Sequence, residues 1–565
     1  MRKSLIALLL AMLMCLSLVA GCSGGDEEAD PNAGQQEQVS DTTETEKGEE
    51  EKEEAAANEI TTATNTTFAT LDPALISTTA MGNVYTNASA NFFRAQADGT
   101  LALDLGESYS FDPETLTYTF KIKEGLKWSD GEPLTAEHFV YAIKRSIGYG
   151  PDNAYAARNL VSFVVGGVEA ADNQMDVADM TGVGVAALDD TTFTVQLNEV
   201  HPFFHKFFSG NTTSPVRPDF AVEHESAWSV NGTYPSCGPM VMESINPEEQ
   251  AVFVKNENYW DAENVTLDKL TVLVMPDQTA QLNAFKAGQL DIATSVPSET
   301  ASNSQYQNNF YKADKYTCNY FVLLNTGAKN TVPELMDVRV RKAMNLSLDK
   351  DTMLAVLSGG DFNVKLDGFI PYGFEGNNGD FRAEKSYFQY DLDAAKKLME
   401  EAGYSEDNRL SFEYLYSNTQ FHADVAQMLQ QMWSQIYIDV ELKSVEGGVF
   451  YDYVDNGEFT SCRYANADST DPLNYFKIFT SDAQIEGCQA ILDETYDKLV
   501  AEAYTITDQK AYIEQLHKIE DYMVEEMAYV VPLFTQTPVV LVQENVEGFW
   551  TTVSGTTCYF NVEKN

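Results

Sequence analysis

Thr117-Tyr118-Thr119-Phe120-Lys121-Ile122, followed by Lys127-Trp128-Ser129-Asp130-Gly131-Glu132-Pro133-Leu134-Thr135-Ala136-Glu137, is the stretch on which the fold reading turns. Leu116, Tyr118, Phe120 and Ile122 alternate with Thr117, Thr119 and Lys121, the period of two that marks a half-buried strand. Asp130-Gly131 is a turn pair. Thr135 stands where an N-cap belongs, and Glu137 falls in the first turn, where a carboxylate meets the positive end of the helix dipole. Phe139, Val140 and Ile143 then supply one buried side. The unit reads as a strand–turn–helix scaffold with no ligand contact of its own.

The same texture extends outward in both directions. Phe193, Val195 and Leu197 repeat the alternation after the Asp189-Asp190 turn, and further strands are predicted at 252–255 and 270–275. A helix is predicted over 278–287, with Leu282 and Phe285 on one face and Gly288 as its stop. The second half is more helical. Apolar residues at 340, 343 and 344 define one face of a helix over 338–346, and Asp391 caps another that carries Leu392, Ala395, Leu398 and Met399 and ends before Gly403. Val425, Met428, Leu429, Met432, Trp433 and Ile436 form the strongest amphipathic stripe, read as core. A further helix is predicted over about 511–526. Strands and helices intermix without an internal repeat, so the class is α/β.

Upstream, Arg2 and Lys3, an apolar run over 5–18 and Val19-Ala20-Gly21-Cys22 read as a lipoprotein export signal, residues 1–22. Lipid on the Cys22 sulfur would then hold the mature chain at a membrane. Residues 23–60 are rich in Glu, Asp, Gln and Thr and poor in large apolar side chains. They read as a disordered acidic tether. The 565 residues exceed what one core serves, so two or more lobes are expected. Lys and Arg number 36 against 86 Asp and Glu, a formal charge of −50, which argues against nucleic acid as a partner.

Catalytic and metal motifs are missing. There is no phosphate-binding loop and no CxxC pair. His201 and His205 lie four apart, but Pro202 and the rings of Phe203, Phe204, Phe207 and Phe208 favour a buried or edge cluster over a metal site. No cofactor and no catalytic residue are predicted. Cys237, Cys318, Cys462, Cys488 and Cys558 remain after the signal and the lipidated cysteine, and their pairing cannot be deduced from sequence.

Several blocks, taken in order, resemble the peptide-binding (oligopeptide and dipeptide type) solute-binding lipoproteins of bacterial ABC transporters. They are Leu71-Asp72-Pro73, the 117–137 stretch, Asn256-Glu257-Asn258-Tyr259-Trp260-Asp261, 284–291, Asp337-Val338-Arg339-Val340-Arg341-Lys342-Ala343, Ala402-Gly403-Tyr404 and Asp471-Pro472. The resemblance covers about residues 66–565. It implies a two-lobed periplasmic-binding-protein-like fold of type II with an additional inserted domain, closing around its ligand by a hinge. The implied segments are 61–105, 212–316 and 535–565 for lobe I, 106–211 for the inserted domain II and 317–534 for lobe III. The implied partners are peptides, an ABC permease with its ATPase subunits, and a membrane through the N-terminal lipid, with the binding protein monomeric and extracytoplasmic.

The resemblance also assigns site residues. Asp468, three residues ahead of Asp471-Pro472, falls on the family's ammonium-binding aspartate, while Asp471 is the turn-capping one. Thr79 falls in the lobe I edge segment that pairs with ligand main chain. Tyr155 resembles a tyrosine that closes over the ligand's amino end. Ala465, Asn466 and Ala467 would offer backbone groups. His422 is either a histidine facing the ligand's carboxylate end or a surface residue before a helix. Where relatives place an arginine, this chain has Cys462, with Arg463 one residue along, and such a shift turns a side chain to the other face of a strand. Ser358 stands where some relatives have a lysine. Cys318 matches a cysteine bridged in some relatives, but Asn466 occupies the partner position, so no bridge is expected. A nickel chelate, sugar or haem as ligand, and a peptide-sensing surface lipoprotein, remain the alternatives.

Overall fold

The 117–137 stretch builds the unit that its pattern predicts. Strand Thr117–Ile122 buries Tyr118, Phe120 and Ile122 while the residues between them stay half-buried. It is the second strand of a four-stranded antiparallel sheet, in the order Gly106–Asp112, Thr117–Ile122, Thr192–Gln196, Val185–Ala187. Helix Ala136–Gly148 lies on that sheet, with the Phe139 and Phe193 rings stacked at 5.1 Å. Gly131 turns with φ +90°, a conformation open to glycine because it has no Cβ.

These features belong to a computed structural model, which describes residues 57–565 apart from 69, 77–78, 150–159, 202, 224–233, 298–299, 302, 314–315, 358–361, 468–470, 482–489 and 538. The export signal, Cys22, Tyr155, Ser358, Asp468 and Cys488 lie outside the described residues. Strand Glu59–Thr64 begins two residues inside the range read as tether, because Ile60 is a core residue and Glu59 is registered with Lys269.

The helix start holds a detail that capping statistics miss. Thr135 is the N-cap residue, and its backbone N–H donates to His138 Nδ1 at 3.0 Å; the buried Trp128 indole N–H donates to the same nitrogen at 3.3 Å. A ring nitrogen that accepts two hydrogen bonds carries no proton, so His138 is neutral. Burial, then the nearby Arg217 charge, lowers its pKa from 6.5 to about 4. Between those values the unfolded chain binds the proton and the folded chain does not, so stability falls as pH drops through that window. The urea midpoint is expected to fall between pH 7 and pH 5. His138→Gln, which retains an acceptor for Thr135, should reduce that fall; a variant with unchanged pH dependence would refute the assignment.

Two larger sheets complete the framework. A seven-stranded sheet runs Phe310–Tyr311, Val540–Val542, Ile292–Ala293, Glu59–Thr64, Lys269–Val274, Gln250–Lys255, Met240–Asn246. Its strands come from early, middle and last parts of the chain, so the chain leaves this layer and returns to it. A six-stranded sheet runs Val364–Lys365, Val530–Thr535, Cys318–Leu324, Ser461–Ala467, Leu410–Ser417, Ile438–Val445. Its central strand is covered on both faces. Phe321 and Leu323 pack into one apolar cluster, with Leu415, Cys462 and Tyr496, while Tyr320, Val322 and Leu324 pack into another, with Tyr414, Leu429 and Trp433. Such a strand shows a continuous apolar run instead of alternation.

The four-stranded body touches both large sheets' surroundings. Arg145 of the 136–148 helix is buried against Asp72, Nη1 to Oδ1 at 2.7 Å, in the Leu71-Asp72-Pro73 loop. Phe163 and His201 meet Tyr504 at 5.8 and 6.1 Å between ring centres, and Lys477 sits 4.5 Å over the Phe163 ring. His201 is therefore an aromatic-cluster histidine, held neutral to about pH 3 by burial and then by the Lys477 charge. His205 stacks on Tyr109 at 4.9 Å. Among the described residues no group of His, Cys, Asp and Glu is placed to hold a metal ion, and no helix is long and apolar enough to cross a membrane.

Candidate functional site

Strand Ser461–Ala467 changes character along its length. It pairs antiparallel with Cys318–Leu324 throughout, from Leu324↔Ser461 to Cys318↔Ala467. On its other side it pairs with Leu410–Ser417 only at Ser461 and Cys462. From Arg463 onward that side has no strand partner among the described residues. Asn325 N–H donates to Thr460 O at 3.0 Å, and Cys318 O is taken by Gln536 N–H, also at 3.0 Å. Main-chain groups alternate along an antiparallel pair, so these two bonds place Arg463, Ala465 and Ala467 with their N–H and C=O groups facing away from 318–324. Asn466 faces inward, and its N–H donates to Asn319 Oδ1 at 3.1 Å. The result is a short open strand edge, a template for an extended chain.

This edge lies where ligands bind in sheets of this kind. Leu410–Ser417 and Ile438–Val445 are parallel to each other and to Ser461–Ala467, and the crevice outside the carboxyl ends of such strands is the usual binding place. Helix Gln420–Ser434 follows the first of these strands and helix Gly447–Asp455 the second, so both N-termini are at that end. Neither helix has an acidic residue in its first turn. The positive end of the first helix is therefore left available there, while at the second the Glu446 carboxylate accepts from the Val449 amide at 3.4 Å.

Cys462 and Arg463 alternate as neighbours on a strand must. Cys462 is fully buried in the apolar cluster with Leu415 and Phe321. On the neighbouring strand, burial pushes the Cys318 thiol up to about 12, so that site does not favour a thiolate. Among the described residues, Cys237, Cys318, Cys462 and Cys558 form no disulfide with one another. Arg463 Nη2 donates to Ser417 Oγ at 2.8 Å, and its guanidinium lies 4.2 Å over the Phe450 ring.

The positions carried over by resemblance distribute unevenly. Ala465 and Ala467 stand on the open edge, whereas the Asn466 main chain is turned the other way. His422 is inside the first turn of helix Gln420–Ser434, not on a surface loop before it, and is 8% exposed. Its Nδ1 lies 3.0 Å from the Tyr320 hydroxyl, and burial, then the Arg463 charge, holds it neutral to about pH 3. Thr79 opens helix Thr79–Tyr85, so its segment is helical rather than an extended edge. Asp471 is the capping carboxylate: it is fully buried, accepts from Leu473 N–H at 2.8 Å and from the Tyr512 hydroxyl at 2.9 Å. Those bonds occupy it with structure. Tyr320 beside His422, and Ser417, were missed by reasoning from sequence, because each depends on strands far apart in the chain.

Residues 100–487 match the family described as bacterial extracellular solute-binding proteins, family 5. The chain belongs to that family. This family 5 protein is 28% identical over 494 residues to the oligopeptide-binding protein OppA of Bacillus subtilis (strain 168), with 85% of this chain and 87% of the relative covered. The solved structure of the Escherichia coli murein tripeptide binding protein MppA superposes on it with a TM-score of 0.72 at 22% identity, covering 90% of this chain and 99% of that one. Haemophilus influenzae OppA in complex with RPPGFSPFR gives 0.69 at 23%, with 90% and 99% covered. The fold is thus the two-lobed type II arrangement, and a family 5 protein is a binding component of transport, not an enzyme.

Proposed function

We propose that this family 5 protein captures peptides outside the cytoplasm, holds them extended along the Arg463–Ala467 edge between its lobes, and hands them to an ABC permease. The observation that carries the reading is the open edge at Ala465 and Ala467. Main-chain pairing there is indifferent to side-chain identity, as a receptor for varied sequences requires. The oligopeptide-binding relative and the peptide-bound structural neighbour support it. Asp468, immediately beyond the edge, is proposed to receive the ligand's ammonium group, since Asp471 is committed to Tyr512 and the Leu473 amide. Tyr155 is proposed to close over that amino end, with the segments 61–105, 212–316 and 535–565 forming lobe I, 106–211 domain II and 317–534 lobe III.

Isothermal titration against free-amine tri- to pentapeptides is the test. Binding is expected for the parent protein, and Asp468→Ala should cost about 2–5 kcal/mol of it, the usual effect of removing one partner of a buried charged pair. Complete absence of heat with every peptide would remove the proposal. Tethering is proposed through lipid on Cys22. Cys22→Ser should move the protein from the membrane fraction to the soluble fraction; a variant that stays in the membrane fraction defeats the anchor.

A further inference from the structure

Two apolar cores meet in this molecule without merging. One unites the four-stranded and seven-stranded sheets, with Phe120, Phe193, Phe253 and Leu270 among its members. Another lies on the six-stranded sheet and takes in Phe321, Leu415, Phe476 and Tyr512. The chain passes between the two larger sheets twice, from Phe310–Tyr311 to Cys318–Leu324 and from Val530–Thr535 to Val540–Val542. The two sides also reach one another through an aromatic contact. Tyr504, which ends helix Glu494–Ala503, packs against both cores. Its ring lies 5.8 Å from that of Phe163, whose carbonyl accepts from Asn198 N–H at 2.7 Å beside the four-stranded sheet. In the reverse direction Phe203, from the four-stranded body, packs against the second core with its ring 5.1 Å from Tyr512. Lys477 lies over the Phe163 and Tyr504 rings at 4.5 and 5.7 Å, and the Glu199 carboxylate feels its charge. Bodies joined by individual rings can part, whereas a continuous apolar core holds them as one. The contact also abuts the binding edge. The Tyr512 hydroxyl donates to both carboxylate oxygens of Asp471 at 2.9 Å, and Asp471 stands four residues past Ala467, where the edge strand ends.

We infer that Phe163, Phe203 and Tyr504 form a clasp between the two lobes, so that the balance of open and closed forms is set by the chain's own rings as well as by ligand. Each ring pair, and the ammonium group over the rings, biases a two-state balance by about 2- to 10-fold. Every member belongs to the protein, so the clasp favours the closed form whether or not the cleft is filled. The apparent affinity of such a receptor is that of its closed form multiplied by the fraction of molecules that are closed. The clasp therefore raises affinity for all cargo alike and carries no preference among sequences. That suits a receptor whose main-chain pairing is indifferent to side chains. The effect on affinity rests on the peptide reading above; the effect on shape does not.

The test sets the parent beside Tyr504→Ala, Phe203→Ala and Tyr504→Phe, which alter the contact from either side and keep a ring in the last case. Small-angle scattering without peptide is expected to give a larger radius of gyration for both alanine variants than for the parent, with far-ultraviolet circular dichroism unchanged. Calorimetry with trialanine and pentaalanine should show affinity lowered about 5- to 50-fold in both alanine variants, by the same factor for each peptide. A saturating peptide should return their radius to that of the parent. Tyr504→Phe should stay within about twofold of the parent, because it keeps the ring contact. An unchanged radius in both alanine variants overturns the inference, as does expansion accompanied by loss of helical signal, which is general loosening. A loss in Tyr504→Phe as large as in Tyr504→Ala removes the ring contact as the cause. Failure of both alanine variants to fold would make the contact part of a permanent core and equally overturn it. If the parent binds neither peptide, the peptide reading falls, and the scattering comparison alone judges the clasp.

Discussion

Glu520→Ala should lower the unfolding free energy of the folded body by about 3–5 kcal/mol, the typical consequence of removing one partner of a buried ion pair. Glu520 is fully buried and carries four separate duties. Its Oε1 accepts from the amides of Phe369 and Ile370 at 2.6 and 3.0 Å and from the Arg382 guanidinium, and its Oε2 accepts from the Tyr387 hydroxyl at 3.2 Å. Removing the carboxylate orphans two buried amides and takes from Arg382, 2% exposed, its direct ion-pair partner. Gly368 belongs to the same arrangement, because a Cβ there would collide with the Arg382 guanidinium. Gly368→Ala should therefore be destabilising although no charge is altered. Urea unfolding measures both, and a loss below about 1 kcal/mol for Glu520→Ala would show that water reaches the site and replaces the carboxylate. The joint replacement Arg382→Met with Glu520→Met should recover a large part of the loss, since no unpaired charge then remains.

That cluster also marks the limit of what the chain's pattern reveals. Glu520 is 138 residues from Arg382 and about 150 from the amides it binds, and no local period encodes such a meeting. Local features were legible. The 117–137 unit, the helices Val338–Leu346 and Leu392–Glu401 and the cap at Asp391, which accepts from the Ala394 amide at 2.9 Å, follow from alternation, apolar spacing and capping chemistry within a few residues. The amphipathic stripe from Val425 to Trp433 is the buried side of helix Gln420–Ser434. Its first turn, with His422, was harder to place because Gln420 and His422 carry no apolar period, although Thr419 is an ordinary N-cap residue and accepts from the His422 amide at 3.2 Å. The helix read over 511–526 is an α-helix, Gln509–Glu520, whose last stretch Asp521–Glu526 widens into π geometry.

The binding edge was legible in a different way. Family resemblance pointed to 465–467, but which of those residues offers its main chain is decided by register against Cys318–Leu324, and register is a property of two strands. Arg463 shows the same thing from the side-chain direction. Its displacement by one residue from the position of Cys462 was visible in the sequence. That its guanidinium would be buried against Ser417 and Phe450 was not, because this depends on what Leu410–Ser417 and Gly447–Asp455 bring near it.

Asp72→Asn should be the second severe loss, again about 3–5 kcal/mol, and it should be felt unevenly across the molecule. Asp72, 2% exposed, accepts from both terminal nitrogens of Arg145 and from the Ala74 amide at 3.0 Å. It belongs to a loop that follows strand Glu59–Thr64 of the seven-stranded sheet, while Arg145 belongs to the helix that covers the four-stranded sheet. The pair thus couples two layers that are separate in hydrogen-bonded topology. Asparagine preserves shape and one acceptor but deprives Arg145, 8% exposed, of its counter-charge. Hydrogen exchange distinguishes this from a general weakening. Amides of Thr117–Ile122 and Ala136–Gly148 should exchange faster in the variant, while those of Cys318–Leu324, in the six-stranded sheet, should change little. Equal acceleration in both regions would mean that the layers unfold as one unit, and that the Leu71-Asp72-Pro73 block holds the whole body together instead of joining two of its layers.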